Sequence, residues 1–213
     1  MSFRGFSPGS TVHVIQRGNN KARIFDSAVD SGPFLDWLCD AARTYGLSVH
    51  AYVLMTNHFH LLASLGSKDS LSRAMQSLGI RYTRYFNGTR ARTGTLWEGR
   101  YRSCPIARDD YFLACSRYIE MNPVRAGLAP APDVYRWSSY KANALGREDV
   151  LVSPHETYRR LGASDEARRS AYRALFEKPA DGFDDRLRAA TNRGIGLDDV
   201  DRIRKVGRPR RVA

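Results

Sequence analysis

The sequence contains few cysteines and no long apolar stretch, which argues against a disulfide-rich secreted protein and against a membrane protein. Its 213 residues include only 3 cysteines. Cys39, Cys104 and Cys115 are widely spaced and odd in number, so they match neither a zinc motif nor a disulfide framework and are expected to be small buried thiols in a reducing cytoplasm. No apolar run approaches the length that spans a bilayer, and the N-terminus lacks the apolar segment of a secretory signal. We therefore expect a cytoplasmic protein with no membrane partner.

Acidic residues are also scarce relative to basic ones. Lys and Arg number 34 against 22 Asp and Glu, a formal net charge of +12, and nearly all of the positive charge is arginine. Arginine makes bidentate contacts to phosphate and stacks on bases, so this composition favours a polyanionic partner. Nucleic acid is favoured over a membrane surface because no basic amphipathic anchor stands out. The chain is long enough for one well-buried domain with an extension.

The spacing of apolar residues predicts the element order βαββαβα. Strands are predicted at 11–15, 47–54 and 57–65, with a bent fourth strand at 95–105 around a glycine. Helices are predicted at 31–45, 69–86 and 108–122, the last ending before Pro123. This order is typical of an α+β fold in which helices cover a small antiparallel sheet. Short helices are expected further on, and the acid-free tail at 202–213 is expected to be disordered without DNA.

Two histidines separated by one residue are the first candidates for chemistry. On a strand, His58 and His60 share one face, while Phe59 points into a core on the other. Tyr118 and Asn122, at positions i and i+4 of a predicted helix, share a helical face. Two imidazoles and an amide oxygen offer ligands for Mg²⁺ or Mn²⁺, and the tyrosine offers a nucleophile for a phosphate that the ion polarises. The alternatives are structural: a histidine pair without metal and a tyrosine that caps the core.

Five short motifs occur in the order in which a known family has them. They are HVIQRGN at 13–19, MTNHFHLL at 55–62, GTLWEGRYR at 94–102, YIEMNPVRAG at 118–127 and WSSY at 137–140. Over about residues 10–142, the sequence resembles the single-tyrosine HUH transposases, and most closely their REP-associated tyrosine transposase branch in bacteria. The resemblance implies cleavage and rejoining of single-stranded DNA at palindromic, REP-like hairpins through a covalent 5′-phosphotyrosine.

The resemblance also implies a domain plan. It predicts a ferredoxin-like α+β catalytic domain at residues 1–142, with an antiparallel sheet flanked by helices. Beyond the region of resemblance, the sequence itself predicts a helical extension at 143–201 and a basic tail at 202–213. Relatives act as dimers that exchange the tyrosine helix or as monomers, so the sequence leaves monomer and homodimer open.

Site roles are carried over position by position. His58 and His60 are the expected metal ligands, Tyr118 is the expected nucleophile, and the cofactor is Mg²⁺ or Mn²⁺. Asn122 stands where self-mobilising relatives commonly have a glutamine ligand and where the REP-associated branch has asparagine, so its shorter side chain makes it the weakest of these assignments. His13 is either a third ligand, a contact to the scissile phosphate or a half-buried structural histidine, and the structural role is favoured.

A second set of residues is predicted to contact DNA. Proteins that bind single-stranded DNA commonly contact phosphates with arginine and stack unpaired bases on aromatic rings. The candidates are Arg17, Asn19, Arg81, Arg84, Tyr85, Trp97, Arg100, Arg102, Arg208, Arg210 and Arg211. The tail arginines resemble arms that read the minor groove, with non-specific phosphate contact as the alternative. For Arg81, Arg84 and Tyr85, the alternative is an ordinary amphipathic helix with solvent-exposed arginines and aromatic rings in the core. For Trp97, the alternative is a buried side chain that does not contact DNA.

Two other functions stay open at this stage. One keeps the fold without the chemistry, as a domesticated DNA-hairpin-binding protein or regulator. The other is an RNA-binding ferredoxin-like module. All four candidate catalytic residues are present, which favours an enzyme, because a protein that only binds does not need them. We expect a bacterial, nucleoid-associated enzyme that acts on single-stranded DNA and DNA hairpins.

Overall fold

The computed structural model describes residues 6–26, 28–177 and 182–200. The first half contains β1 (Thr11–Arg17), α1 (Ala28–Tyr45), β2 (Leu47–Leu54), β3 (His58–Leu65), α2 (Ser70–Thr89) and β4 (Arg102–Pro105). The second half is helical: α3 (Asp109–Glu120), α4 (Asn122–Arg125), α5 (Tyr140–Leu145), α6 (Glu156–Arg159), α7 (Asp165–Ala174) and α8 (Phe183–Arg193). Within the described ranges, no helix has the length and apolar composition needed to cross a membrane.

The four strands form one antiparallel sheet in the order β2-β3-β1-β4. The first strand of the chain, β1, is thus an interior strand, and it lies between β3 and the last strand, β4. With α1 and α2 as the two crossovers, this is the ferredoxin-like arrangement. The predicted α+β fold class is confirmed.

Alternation along the strands divides the interior into two apolar clusters. Val12, Val14, Phe59 and Leu61 are fully buried in the cluster that also contains residues of α1 and α2. Leu62 and residues of β2 and β4 belong instead to the cluster that contains residues of α3 and α8. Because successive side chains on a strand point to opposite faces, His58 and His60 are on the α3 side of β3. The sheet thus presents its histidines to the helix that carries Tyr118.

The fourth strand is shorter than the predicted 95–105. Only Arg102–Pro105 forms a strand, and it pairs with β1 as far as Ile15. The segment before β4 lies beside the end of β1 but contacts it only at isolated points. The Glu98 amide donates to the Arg17 carbonyl, and Gly18 forms an isolated bridge with Trp97. The irregular stretch leaves the last residues of β1 without a continuous neighbour on this side.

Helix α1 begins at Ala28, earlier than predicted, and contains Pro33. A proline has no N–H to donate to the carbonyl four residues back. In this helix, the Tyr85 hydroxyl on α2 donates to that carbonyl, of Val29, at 2.8 Å. The tyrosine therefore fastens the two helices together at the point where α1 lacks a bond of its own.

The C-terminal helices are tied to α3 by a buried carboxylate. Glu120 is fully buried and accepts hydrogen bonds from Ser139 (2.6 Å), Asn143 (2.9 Å) and Tyr172 (2.8 Å). Burial raises the pKa of Glu120 to about 7, although these three donors favour the carboxylate. One side chain of α3 thus joins the WSSY segment, α5 and α7. The boundary at residue 142 stays a prediction.

Candidate active site

His58 is held in one tautomer by its neighbour. The Asn57 amide donates from Nδ2 to the Lys21 carbonyl at 3.1 Å, which turns Oδ1 towards His58 Nδ1 at 2.7 Å. An amide oxygen only accepts, so His58 Nδ1 must carry the proton, and Nε2 keeps its lone pair. A metal-binding histidine in proteins commonly has this kind of partner on its second nitrogen.

His60 is supported by a longer chain of contacts. Its Nδ1 lies 2.8 Å from His13 Nε2, and His13 Nδ1 lies 2.8 Å from the Thr191 hydroxyl oxygen. If His60 Nδ1 and His13 Nδ1 are the donors, both contacts are satisfied and His60 Nε2 keeps its lone pair. His13 uses its Nε2 in this contact, which favours a supporting role over direct ligation, and the residue is buried rather than half-buried as predicted.

The histidines of the site are neutral at physiological pH. Burial lowers the pKa of His13 to about 3 and that of His58 to about 4, with the Arg17 charge lowering the latter further. Burial also lowers the pKa of His60 well below its ordinary value, helped by the two other imidazoles and by Arg125. Neutral imidazole is the form that binds a metal.

Tyr118 projects from α3 into the same cavity. The centre of its ring lies 5.6 Å from that of His60 and 5.9 Å from that of His13. Only 3% of the residue is exposed. Burial raises the pKa of the Tyr118 hydroxyl, and the neighbouring Arg188 and Arg125 oppose that rise.

Asn122 begins α4, next to the end of α3. Its Nδ2 donates to the carbonyls of Tyr118 (3.0 Å) and Ile119 (3.3 Å), the last turn of the tyrosine helix. The amide nitrogen is thereby used, and the oxygen is the atom that remains for a metal. Pro123 is accommodated in the first turn of α4, where its missing N–H costs nothing.

The cavity that unites these residues has a volume of about 250 Å³. Its walls contain the predicted site residues and a group that the sequence did not single out. The lining is formed by His13, Ile15, Arg17, His58, His60, Tyr118, Asn122, Arg188, Thr191 and Asn192. Three of these come from α8, so the predicted helical extension contributes a wall of the site.

Sequence reasoning missed four residues around the tyrosine and the histidines. Asn57 and Arg125 lie inside quoted motifs, so their positions were a usable indication. Arg125 donates to the Tyr118 carbonyl at 2.6 Å and lies 4.4 Å from the centre of its ring. Arg188 and Thr191 stand in no motif, and nothing in the sequence connects them to the site.

The candidate ligands suit a divalent cation. Among the described residues, no group of three or more His, Cys, Asp or Glu side chains is arranged to hold a metal ion. The donor set here is instead two imidazoles whose free nitrogen is Nε2, together with one amide oxygen. Mixed nitrogen and oxygen donors of this kind fit Mn²⁺ better than Mg²⁺, which prefers oxygen ligands.

Several predicted DNA contacts line two further cavities beside the site. Ile15, Arg17 and Asn192 are shared between the site and a small neighbouring groove, which also contains Arg100 and Arg102. That groove shares Gly99 and Arg100 with a cavity of about 690 Å³ between α2 and the stretch before β4. Arg84 and Trp97 line this larger cavity. These cavities lie near the point where β4 stops pairing with β1.

The remaining predicted contacts lie elsewhere. Arg81 pairs with Asp40 at 3.2 Å and lies over the Trp37 ring, so it faces α1, as does Tyr85. Asn19 is exposed in the turn after β1. Arg208, Arg210 and Arg211 lie outside the described residues. The structure therefore places Arg17, Arg84, Trp97, Arg100 and Arg102 in neighbouring cavities that share lining residues, and it leaves the others apart.

A family model for transposases, described as "Transposase IS200 like", matches residues 7–122. The chain belongs to this family. The matched region runs from β1 to Asn122 and therefore contains the histidine pair and Tyr118, while α8 lies outside it. A search among curated proteins finds no match. Membership assigns the IS200-like chain to DNA processing in transposition.

Two solved structures are similar to this IS200-like chain. One is a REP-associated tyrosine transposase bound to a REP hairpin, at 14% identity and a TM-score of 0.55, over 71% of this chain and 88% of that one. The other is described as a candidate transposase from Deinococcus radiodurans R1, at 19% identity and a TM-score of 0.40, over 60% of this chain and 92% of that one. At these identities the first match supports the fold.

Proposed function

We propose that this transposase cleaves and rejoins single-stranded DNA through a covalent 5′-phosphotyrosine at Tyr118. The observation that carries the proposal is the shared cavity: a buried tyrosine hydroxyl, two neutral imidazoles and an amide oxygen open into one space. A structural tyrosine needs neither a cationic neighbour at its hydroxyl nor histidines with an unused nitrogen.

His58, His60 and Asn122 would hold Mg²⁺ or Mn²⁺. When bound, the ion polarises the scissile phosphate and offsets its negative charge. Asn57 holds His58 in the tautomer that leaves Nε2 free, and the contact with His13 leaves His60 Nε2 free when His60 Nδ1 is the donor, so both imidazoles are oriented before any ion arrives. Such preorganisation lowers the cost of binding.

The reaction is a transesterification. The Tyr118 oxygen forms a bond to phosphorus, the bond from phosphorus to the 3′-oxygen breaks, and a proton passes through water from the phenol to the departing 3′-oxygen. The phosphotyrosine conserves the ester bond, so a later 3′-hydroxyl can displace the tyrosine and rejoin the strand without ATP. The arginine-lined groove beside the site suits the phosphates of the flanking single strand.

The proposed substrate is a DNA hairpin with single-stranded flanks. The structural relative is described as bound to a REP hairpin, and we extend that substrate class to this chain. The formal charge of +12 fits a polyanion. Oligonucleotides that carry the palindromes flanking the coding sequence are therefore the first substrates to test.

The test is adduct formation, read by intact-mass analysis after incubation with such an oligonucleotide and Mn²⁺ or Mg²⁺. The wild-type chain should gain the mass of the 3′ part of the cleaved strand. Tyr118→Phe and the double variant His58→Ala, His60→Ala should give no adduct, because each lacks the nucleophile or the metal ligands. Tyr45→Phe, a change of the same kind on α1, should react as the wild type does.

The controls also separate the competing functions. An adduct in Tyr118→Phe would assign the chemistry to another residue. Tight hairpin binding with no adduct under either ion would indicate a non-catalytic DNA-binding protein. A preference for the RNA version of the same hairpin would indicate an RNA-binding module.

A further inference from the structure

The helix α8 reaches the reacting hydroxyl from outside the region that the family model matches. Arg188 Nε lies 3.4 Å from the Tyr118 hydroxyl oxygen, and its guanidinium carbon lies 5.8 Å from the centre of the tyrosine ring. Two further α8 residues line the same cavity, Thr191 beside His13 and Asn192 beside Arg102. The active-site cavity therefore contains an arginine that the family region does not supply.

Arg188 differs from the other arginine at the tyrosine. Arg125 is committed to the protein: one terminal nitrogen donates to Asp184 at 2.6 Å, and the other to the Tyr118 carbonyl at 2.6 Å. Among the described residues, Arg188 donates only to Asp185, at 3.4 Å, besides the Tyr118 hydroxyl, and half of its side chain is exposed. Its second terminal nitrogen has no partner among the described residues. This guanidinium can contact the tyrosine oxygen and an incoming phosphate together.

The docking of α8 does not depend on Arg188. The helix is anchored by Phe183, Leu187 and Ala190, which are buried in the cluster around Tyr118. The Asp184–Arg125 ion pair, with both side chains largely buried, adds to this anchoring. By contrast, the contact of Arg188 with Asp185 joins residues of one helix and is mostly exposed, so it contributes little to stability.

We infer that Arg188 is a catalytic arginine supplied by the C-terminal segment. It holds the Tyr118 oxygen for attack and stabilises the negative charge that develops on the phosphate as the phosphorus–tyrosine bond forms and the bond to the 3′-oxygen breaks. The same contact serves the rejoining step, in which those bonds exchange roles. The guanidinium stays protonated throughout and takes no part in the proton transfer. This inference rests on the proposed function.

The experiment compares Arg188→Ala with Arg193→Ala, a matched variant. Arg193 is an exposed arginine on the same helix, so its replacement removes the same positive charge without changing the cavity. The rate of adduct formation is measured in a single turnover with excess enzyme, on the hairpin oligonucleotide that the wild type cleaves. We expect Arg188→Ala to slow adduct formation about 100-fold, a typical effect of removing one charge-stabilising donor. Arg193→Ala should react within about threefold of the wild type.

Two further measurements separate a catalytic role from a structural one. Binding of the same oligonucleotide to Tyr118→Phe and to the double variant Tyr118→Phe, Arg188→Ala is measured by fluorescence anisotropy, and the dissociation constants should differ by less than about fivefold, since the transition state gains most from the arginine. Added guanidinium ion should restore part of the rate of Arg188→Ala without changing amide exchange in α8, and Arg188→Lys should be intermediate.

The outcomes distinguish this inference from the proposed function. If the wild type forms no adduct, the proposed function and the role of Arg188 are both overturned. If the wild type reacts and Arg188→Ala reacts equally fast, only the role of Arg188 is overturned. A slow Arg188→Ala whose α8 exchanges freely, with no rescue by guanidinium, would make Arg188 a structural residue of the helix and would also overturn the inference.

Discussion

At the scale of single residues, the site depends on side chains that fix the state of others. Asn57 determines which nitrogen of His58 keeps its lone pair, and it does so because its own nitrogen is occupied by the Lys21 carbonyl. A metal ligand held in the wrong tautomer would have to reorganise before binding. The asparagine should therefore influence metal affinity without touching the metal.

Replacing Asn57 tests this dependence. Asn57→Leu removes the acceptor for the His58 Nδ1 proton and should weaken Mn²⁺ binding to the DNA-free chain by about 10- to 100-fold, measured by isothermal titration calorimetry. Asn57→Asp keeps an acceptor oxygen at the same place and should bind Mn²⁺ at least as tightly as the wild type. Equal weakening of Mn²⁺ binding in both variants would mean that Asn57 acts only through its hydrogen bond to the Lys21 carbonyl.

The sequence predicted the residues of the site better than their partners. Alternation around Phe59 was enough to put His58 and His60 on one face. The predicted helix at 108–122 was too long, because α3 ends at Glu120 and Asn122 begins α4, yet Tyr118 and Asn122 line one cavity. The contacts of Arg188 and Thr191 were beyond prediction because they depend on where a distant helix docks. Arg81 and Tyr85 show the converse problem: a helix pattern reveals that residues share a face, but not that the face is covered by α1.

At the scale of elements, α8 is the piece whose position the sequence left open. The sequence predicted a helical extension over 143–201, and within it the structure forms α8 at Phe183–Arg193. Periodicity identifies a buried face but not the surface that covers it. Docking against α3 places Leu187 in the apolar cluster that contains Tyr118 and Ile119, with no exposed surface. The helix therefore both completes the core on this side of the sheet and forms a wall of the cavity.

Truncating Leu187 should loosen α8 before the sheet. Leu187→Ala should lower the free energy of unfolding by about 2–5 kcal/mol, as large-to-small changes at fully buried sites do. Amide exchange should rise most in the peptides of α8, because α8 can open locally while β1 to β3 stay paired. Leu145→Ala, at a leucine that is 41% exposed, should change stability by less than about 0.5 kcal/mol. Equal acceleration of exchange in β3 and α8 would contradict an independently opening helix.

At the scale of the whole molecule, buried polar groups join the sheet to the helices that follow it. Glu120 binds the C-terminal helices to α3, and His50 binds the segment before α6 to β2. His50 Nδ1 lies 2.6 Å from the Ser153 carbonyl oxygen, and Nε2 lies 2.8 Å from the Ser64 hydroxyl. Neither link was visible in the sequence, where a single histidine or glutamate has no partner until the chain is folded. Their chemistry couples the stability of the molecule to pH.

His50 should make the folded state sensitive to acid. Burial lowers the pKa of His50 to about 4, and the nearby His155 ring, 4.8 Å away between ring centres, lowers it further. The other ring against it is Phe112 on α3, which is uncharged, and the Ser153 carbonyl opposes the decrease. In the unfolded chain the pKa is about 6.5. Between these values the unfolded chain binds a proton that the folded chain does not, so the free energy of unfolding falls as the pH drops from about 6.5 to 4.

The size of this effect follows from the linkage relation. His50 should remove about 2 kcal/mol of stability between pH 7 and pH 5, on top of contributions from other groups. Urea unfolding of the wild type and of His50→Gln across this range isolates it. The variant should be less stable at pH 7, because glutamine cannot contact both Ser153 and Ser64, and its stability should decline less steeply towards pH 5. Parallel curves for the two proteins would show that His50 has the same pKa in the folded and unfolded chain, and its burial would then have no part in the response to acid.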